Sequence, residues 1–199
     1  MITAAVVVSL AVAASPFDDL KKSATPVERL SSTVAALVGV CPDGLVIDEL
    51  EECKKNLSTA ATRFKDKKVY INLGAIEPTF LSFESKTGDQ VKFVWAPLVD
   101  LGNGLALTAG KPDKLSDKGN VVVGRKPFEG QGDPEMFDTD LARAAKTGQV
   151  GVEVIGGFGK AWQLNGKDKQ VRGMPLDLSA VRFYHTRTGK VLAEVTLTK

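Results

Sequence analysis

Between Phe80 and Leu107 the chain reads as two β-hairpins in succession, and this stretch constrains the fold more than any other. Phe80-Leu-Ser-Phe-Glu-Ser is set to meet Val91-Lys-Phe-Val-Trp across the turn Lys86-Thr-Gly-Asp. Pro97 to Leu101 is then set to meet Leu105 to Thr108 across Gly102-Asn-Gly104. Glycine supplies the positive φ that tight hairpin turns need, and Asn-Gly between apolar runs is a strong hairpin signal. Period-two alternation puts Val91, Phe93 and Trp95 on one face and Lys92 on the other. The stretch calls for antiparallel sheet, with the other segments placed to cover or extend it.

Alternation starts earlier, at Val69-Tyr-Ile-Asn-Leu, and returns after it at Val121-Val-Val, Val150 to Ile155 and Phe158 to Leu164. A weak strand near Val171 follows, and then a last hairpin pairs Leu178 to Thr186 with Lys190 to Thr198 around Thr188-Gly189. One helix is inserted over residues 134–147, where Asp133 caps, Pro134 takes the first position and Phe137, Leu141, Ala144 and Ala145 face inward.

Ahead of the strands the period is helical. Ser15-Pro-Phe-Asp has the form of a short helix start. Thr25-Pro-Val-Glu has the cap, the first-turn proline and the Glu of a capping box, and the stripe Val27, Leu30, Val34, Leu37, Val38 follows it. A second helix is expected from about Val46 to Phe64, with acids near its start and cations near its end, the order the helix dipole favours. Cys41 and Cys53, the only cysteines, sit in the turn and in the second helix, which predicts a disulfide clipping a helical hairpin.

Residues Ala4 to Ala14 form a run of small and aliphatic residues ending Ala-Val-Ala-Ala before Ser15-Pro16. This has the h-region and cleavage site of a secretory signal, although Met1-Ile-Thr lacks the usual basic residue. The run is shorter than the roughly 20 residues a spanning helix needs, so no transmembrane segment is expected after its removal. The expected organisation is a signal peptide at 1–14, a helical hairpin segment at 15–67 and a β-rich domain at 68–199. The fold class is α+β: an antiparallel β-sandwich or partly closed barrel of about ten strands, with the clipped hairpin in front.

Chemistry is less legible. A formal net charge of +2, with cations spread along the chain, gives no basic patch for nucleic acid. One histidine, His185, excludes sites needing a His pair, and the Cys41–Cys53 spacing is not that of zinc pairs, so neither metal nor cofactor is expected. Two Lys-Thr-Gly triplets, at Lys86 and Lys146, resemble the β-lactamase motif, but no S-x-x-K accompanies them and turn chemistry explains both. Gly156-Gly-Phe-Gly159 and Gly102-Asn-Gly104 match no phosphate loop and read as turns or bulges. Asp133, Glu135, Asp138 and Asp140 lack calcium-loop spacing and read as the acidic first turn of the inserted helix.

His185 alternates with Val181 and Phe183 and is expected on the core side, without a serine in a nucleophile setting. No catalytic residue is assigned. Trp95, Trp162 and Tyr184, on separate strands, are the candidate binding residues, since aromatics sharing one open face can stack on a sugar or line a pocket. The function these readings favour is an exported, non-enzymatic binding or structural module of the cell envelope or secreted space, its partner a protein or surface polymer. A small-ligand carrier with an apolar β-barrel cavity, and a glycan-acting enzyme using carboxylates only, are the alternatives.

Overall fold

In the computed structural model, the structure describes residues 15–41, 46–75, 81–85, 91–95, 98–108, 110–116, 121–122, 128–132, 142–167 and 169–196. Its elements in chain order are α1 (Pro16–Ser23), β1 (Thr25–Pro26), α2 (Leu30–Leu37), α3 (Ile47–Phe64) and β2 (Lys68–Ala75). The strands β3 (Leu81–Ser85), β4 (Val91–Trp95), β5 (Leu98–Gly102), β6 (Leu105–Thr108), β7 (Lys114–Leu115), β8 (Val121–Val122) and β9 (Phe128–Gly132) follow. A short helix α4 (Ala142–Lys146) precedes β10 (Val150–Phe158), β11 (Trp162–Asn165), β12 (Gln170–His185) and β13 (Val191–Thr196). The expected signal peptide and residues 133–141 of the inserted helix lie outside the described residues.

The α+β class holds, and both central hairpins form. β3 pairs antiparallel with β4 from Leu81↔Trp95 to Ser85↔Val91. β5 pairs with β6 from Leu98↔Thr108 to Gly102↔Leu105. Gly102, Asn103 and Gly104 all take positive φ at that turn, as the sequence requires.

The centre, however, lies elsewhere. β3 and β4 join β9 in a separate three-stranded sheet, while β5 and β6 end the eight-stranded one. The hub is β12, which pairs with β10 and β13 through its second half and with β11 and β6 through its first. Nor is the main sheet wholly antiparallel: β1–β2 and β6–β12 are parallel. Among the described residues its path is open, ending in β1 and β5, so the sheet does not close on itself. Hairpin signals are local, whereas the β6–β12 pairing joins segments some 65 residues apart and leaves no local trace.

Two other expectations are corrected. The weak strand near Val171 and the strand from Leu178 are one sixteen-residue strand running through Pro175. The β10 ladder ends at Leu176 and the β11 ladder begins at Gly173, so neither asks Pro175 for an N–H; it stands opposite Thr108 at the end of the parallel β6 ladder, and its carbonyl accepts an N–H from Gly159. Thr25-Pro26 does not cap a helix. It is drawn beside β2, where the next N–H, from Val27, reaches the Tyr70 carbonyl at 2.9 Å, and α2 starts only at Leu30.

Alternation along β2, β10 and β12 gives the sheet two covered faces. Val69, Ile71, Val152, Val154, Val181 and Phe183 point one way and pack with Val34 of α2 and Phe64 of α3 in the main core. Tyr70, Ile155 and Ala180 point the other way and pack with Phe17 of α1. A third cluster, Ala106, Trp162 and Val171, closes the far end of β12 beside Leu115 and Val121.

Candidate functional site

Two places on this frame carry chemistry or shape beyond ordinary packing. The first is a charged cluster beneath α1. Strand register lines up Glu153 of β10, Arg182 of β12 and Glu194 of β13 side by side on the face opposite the main core. Ser15 caps α1 by accepting the Asp18 N–H at 3.2 Å, and the helix then lays Asp18 and Lys21 over this row.

Arg182 is the hub of the cluster, its side chain only 10% exposed. It donates through Nε to Glu194 at 2.7 Å, and through Nη2 to Asp18 at 2.6 Å and to Ser15 Oγ at 3.0 Å. Its Nη1 lies 3.5 Å from Glu153, whose other oxygen accepts from Lys21 at 3.0 Å and from the Tyr70 hydroxyl. The two cations also stand on rings: Arg182 is 4.3 Å from the Phe17 centroid and Lys21 is 4.1 Å from that of Tyr70.

These contacts fix the charge states. The Arg182 hydrogen bond holds the Asp18 carboxyl below its ordinary value. Burial pushes Glu153 upward, but hydrogen bonds from Tyr70 and Lys21 and the two nearby cations outweigh it and leave the carboxyl lowered. Burial alone would lower Lys21, yet Tyr70 and Glu153 beside it raise it. Tyr70 is raised by burial first and by Glu153 second. At neutral pH the carboxylates are therefore ionised and the cations charged. A general acid needs a carboxyl kept protonated, and here the environment does the reverse. What this arrangement does well is hold α1 to the sheet.

The second place is the α2–α3 hairpin. Cys41 and Cys53 form the expected disulfide, with Cα atoms 6.0 Å apart. α3 runs within one residue of its expected span, and Glu49 accepts the Val46 N–H at its start. Phe64, its last residue, is the only one buried; it meets Phe158 edge-on with centroids 6.0 Å apart. At the other end Val46 and Ile47 are 63% and 77% exposed.

Trp162 and Tyr184 are not brought together. Trp162 is buried in the third cluster and donates its indole N–H to Thr108 Oγ1 at 3.2 Å. Tyr184 is half-buried near the opposite end of β12 and donates to Asn72 Oδ1 at 3.0 Å. Each ring crosses a glycine of the paired strand. A Cβ on Gly173 would stand 2.4 Å from the Trp162 ring, and one on Gly151 would stand 2.3 Å from that of Tyr184. Trp95 occupies β4, paired with Leu81 and Phe128, and its side chain lies outside the described residues. His185 ends β12 half-buried, its Nδ1 accepting the Arg187 N–H at 3.2 Å.

Among the other candidates, Lys146-Thr-Gly148 closes α4 with Gly148 at φ 65°, and Gly156 sits at a register shift in β10. Lys86-Thr-Gly88 and the acids at 133–140 lie outside the described residues. No group of three metal-ligating side chains occurs among the described residues.

The charged cluster was missed by sequence reasoning, although a signal existed. Glu153 stands between Val152 and Val154, and Arg182 between Val181 and Phe183, so each is a charge flanked by apolar residues on its strand. Alternation sends such residues to the back of the sheet, ordinarily toward water. Only the docking of α1 turns that back into an interior.

A family model described as a family of unknown function (DUF6066) matches residues 1–197 of the chain. No curated protein matches, and no solved structure does.

Proposed function

For a chain that belongs to the DUF6066 family, whose function is unknown, we propose the role of an exported, non-enzymatic binding module whose contact element is the α2–α3 hairpin. The observation that carries this reading is the pairing of a covalent staple with a bare apolar tip. Cys41–Cys53 fixes the free end of a hairpin whose long helix is buried only at Phe64, while Val46 and Ile47 remain exposed beside Asp48 and Glu49. A staple there adds little to the sheet core. It holds the tip in one shape, and pre-ordering a contact surface lowers the cost of binding.

Disulfides persist in oxidising compartments, which agrees with the apolar run before Ser15 as an export signal. The ionised, fully paired carboxylates under α1 favour binding over a carboxylate-only glycan enzyme. A small-ligand carrier stands second. It would use a cavity of about 450 Å³ between the end of α3 and β10, floored by Phe64, Phe158 and Met174.

A photo-crosslinking residue placed at Ile47, or as control at exposed Lys167, would test this in the native cell. The expected result is a discrete crosslinked protein from Ile47 alone, in the envelope or medium fraction. Capture from both positions or from neither, or a wholly cytosolic protein, would overturn it.

A further inference from the structure

The hairpin has a second surface, distinct from its tip. Two adjoining cavities, of about 290 and 450 Å³, run between α2 and α3 and share Ser32, Ala36 and Asn56, so they form one trough. Along α3 the trough extends from Glu49 to Arg63, about 21 Å at 1.5 Å per residue. The α2 side presents small residues, Ser32, Ala35 and Ala36, that let a neighbouring helix come close. Ile47 precedes Asn56 by nine residues, or about 900° of helix, which places the exposed tip residue on the opposite side of α3.

The two ends of the trough carry opposite charge. Glu49 and Glu52 line the end near the disulfide, while Arg29 and Arg63, with Glu28, line the other. We propose that the trough docks a second copy of this chain, the two hairpins pairing about a two-fold axis near Asn56 into a four-helix arrangement. The charges select this occupant. A two-fold axis through the middle lays the acidic end of each copy on the basic end of the other, whereas stacking the hairpins in the same direction would put like on like. An interface of this kind uses the same patch on both copies, so self-complementarity is what it demands.

Other features fit the same geometry. Leu57 and Ala60 of α3 line the trough and are only half-buried, and a second hairpin would complete their cover as in a four-helix bundle. Asn56 would face Asn56 of the second copy across the axis, where an amide can both donate and accept. The disulfide sets the spacing of α2 and α3 before the copies meet.

The test uses the full exported chain with its disulfide intact. Sedimentation velocity at high micromolar concentration should give the mass of two chains. Glu52→Arg should weaken association by about tenfold or more, since it sets like charges together. Combining it with Arg63→Glu should restore association. Asn56→Cys should give a covalent two-chain species on a non-reducing gel. A chain that stays single at that concentration overturns the proposal. So does a dimer indifferent to Glu52→Arg and uncrosslinked through Asn56→Cys, because another face would then hold it. If the chain is single yet Ile47 still captures a protein in cells, the self-pairing fails while the hairpin stands as a contact element.

Discussion

On one face of β2, β10 and β12, α2 and α3 bring Val34 and Phe64 onto a layer of Val69, Val152, Val154, Val181 and Phe183. On the other face, α1 brings a single fully buried ring, Phe17, together with Ser15, Asp18 and Lys21. The first covering is apolar and non-directional; the second is held by oriented hydrogen bonds between charges. Apolar cover tolerates small rearrangements of shape. A buried ionic cover does not, because removing one member strands the rest in a poorly solvated place. The docking of α1 should therefore be more sensitive to single substitutions than that of α2 and α3.

The largest expected effect is at the hub of the ionic face. Arg182→Met leaves Glu153 buried with less compensation and releases Asp18 and Glu194. It should cost about 3 to 5 kcal/mol in urea unfolding. Adding Glu153→Met should recover part of that loss, since an apolar pair of similar size avoids the stranded charge. If the double variant is as unstable as the sum of its parts, the contrast between the faces is wrong. Phe17→Ala should cost about 3 kcal/mol by emptying the satellite core. Hydrogen exchange should show the loss concentrated in residues 16–23, with β10 and β12 still protected.

The disulfide works on the other side of the sheet and by a different route. Cys53→Ala should lower stability by about 2 to 4 kcal/mol, mainly by freeing the unfolded chain. The sheet should stay folded with α2 and α3 still docked through Val34 and Phe64; its collapse would show that the staple, and not this packing, holds the hairpin on the core.

Acid should discriminate the faces more gently. Asp18 and Glu153 have lowered folded-state values, so their contribution is fully present above the ordinary carboxylate range, near pH 4, and fades as pH falls through the folded values below it. Lys21 is raised, so its contribution is complete below the ordinary lysine value and fades as pH rises through the folded one. The Arg182→Met variant should show a flatter acid limb than the parent, and an unchanged limb would deny Arg182 its part in holding these carboxylates ionised. The smallest effect is expected at His185→Gln, within about 1 kcal/mol, because its imidazole accepts one N–H at an exposed turn. A larger loss would mean that the β12–β13 turn relies on it.

Where the sequence was legible, the signal was local. The hairpin across Gly102-Asn-Gly104, the span of α3 and the cysteine pair could each be read within about twenty residues, the range over which turn, cap and periodicity rules act. Thr25-Pro-Val-Glu shows the limit of such rules: a good helix cap by composition became a strand beside β2 because an unpaired edge was available there. The distance between Trp162 and Tyr184 was hidden for a related reason. Alternation gives the face of Trp162 and Tyr184 within a strand, but not their separation along β12, which the hairpin signals had divided in two.

Neighbouring residues alone were enough for the α+β class, the span of α3, the hairpin across Gly102-Asn-Gly104 and the pairing of Cys41 with Cys53. Periodicity and turn chemistry are properties of neighbouring residues, so they survive without a fold. Only the tertiary structure decided that β12 is the hub, that β6 joins it in parallel and that α1 converts the polar back of the sheet into an interior of paired charges. Those outcomes depend on pairings between segments from about 65 to more than 160 residues apart, as with Asp18 and Arg182. Their energy exists only once the chain has closed on itself, and no local pattern encodes it.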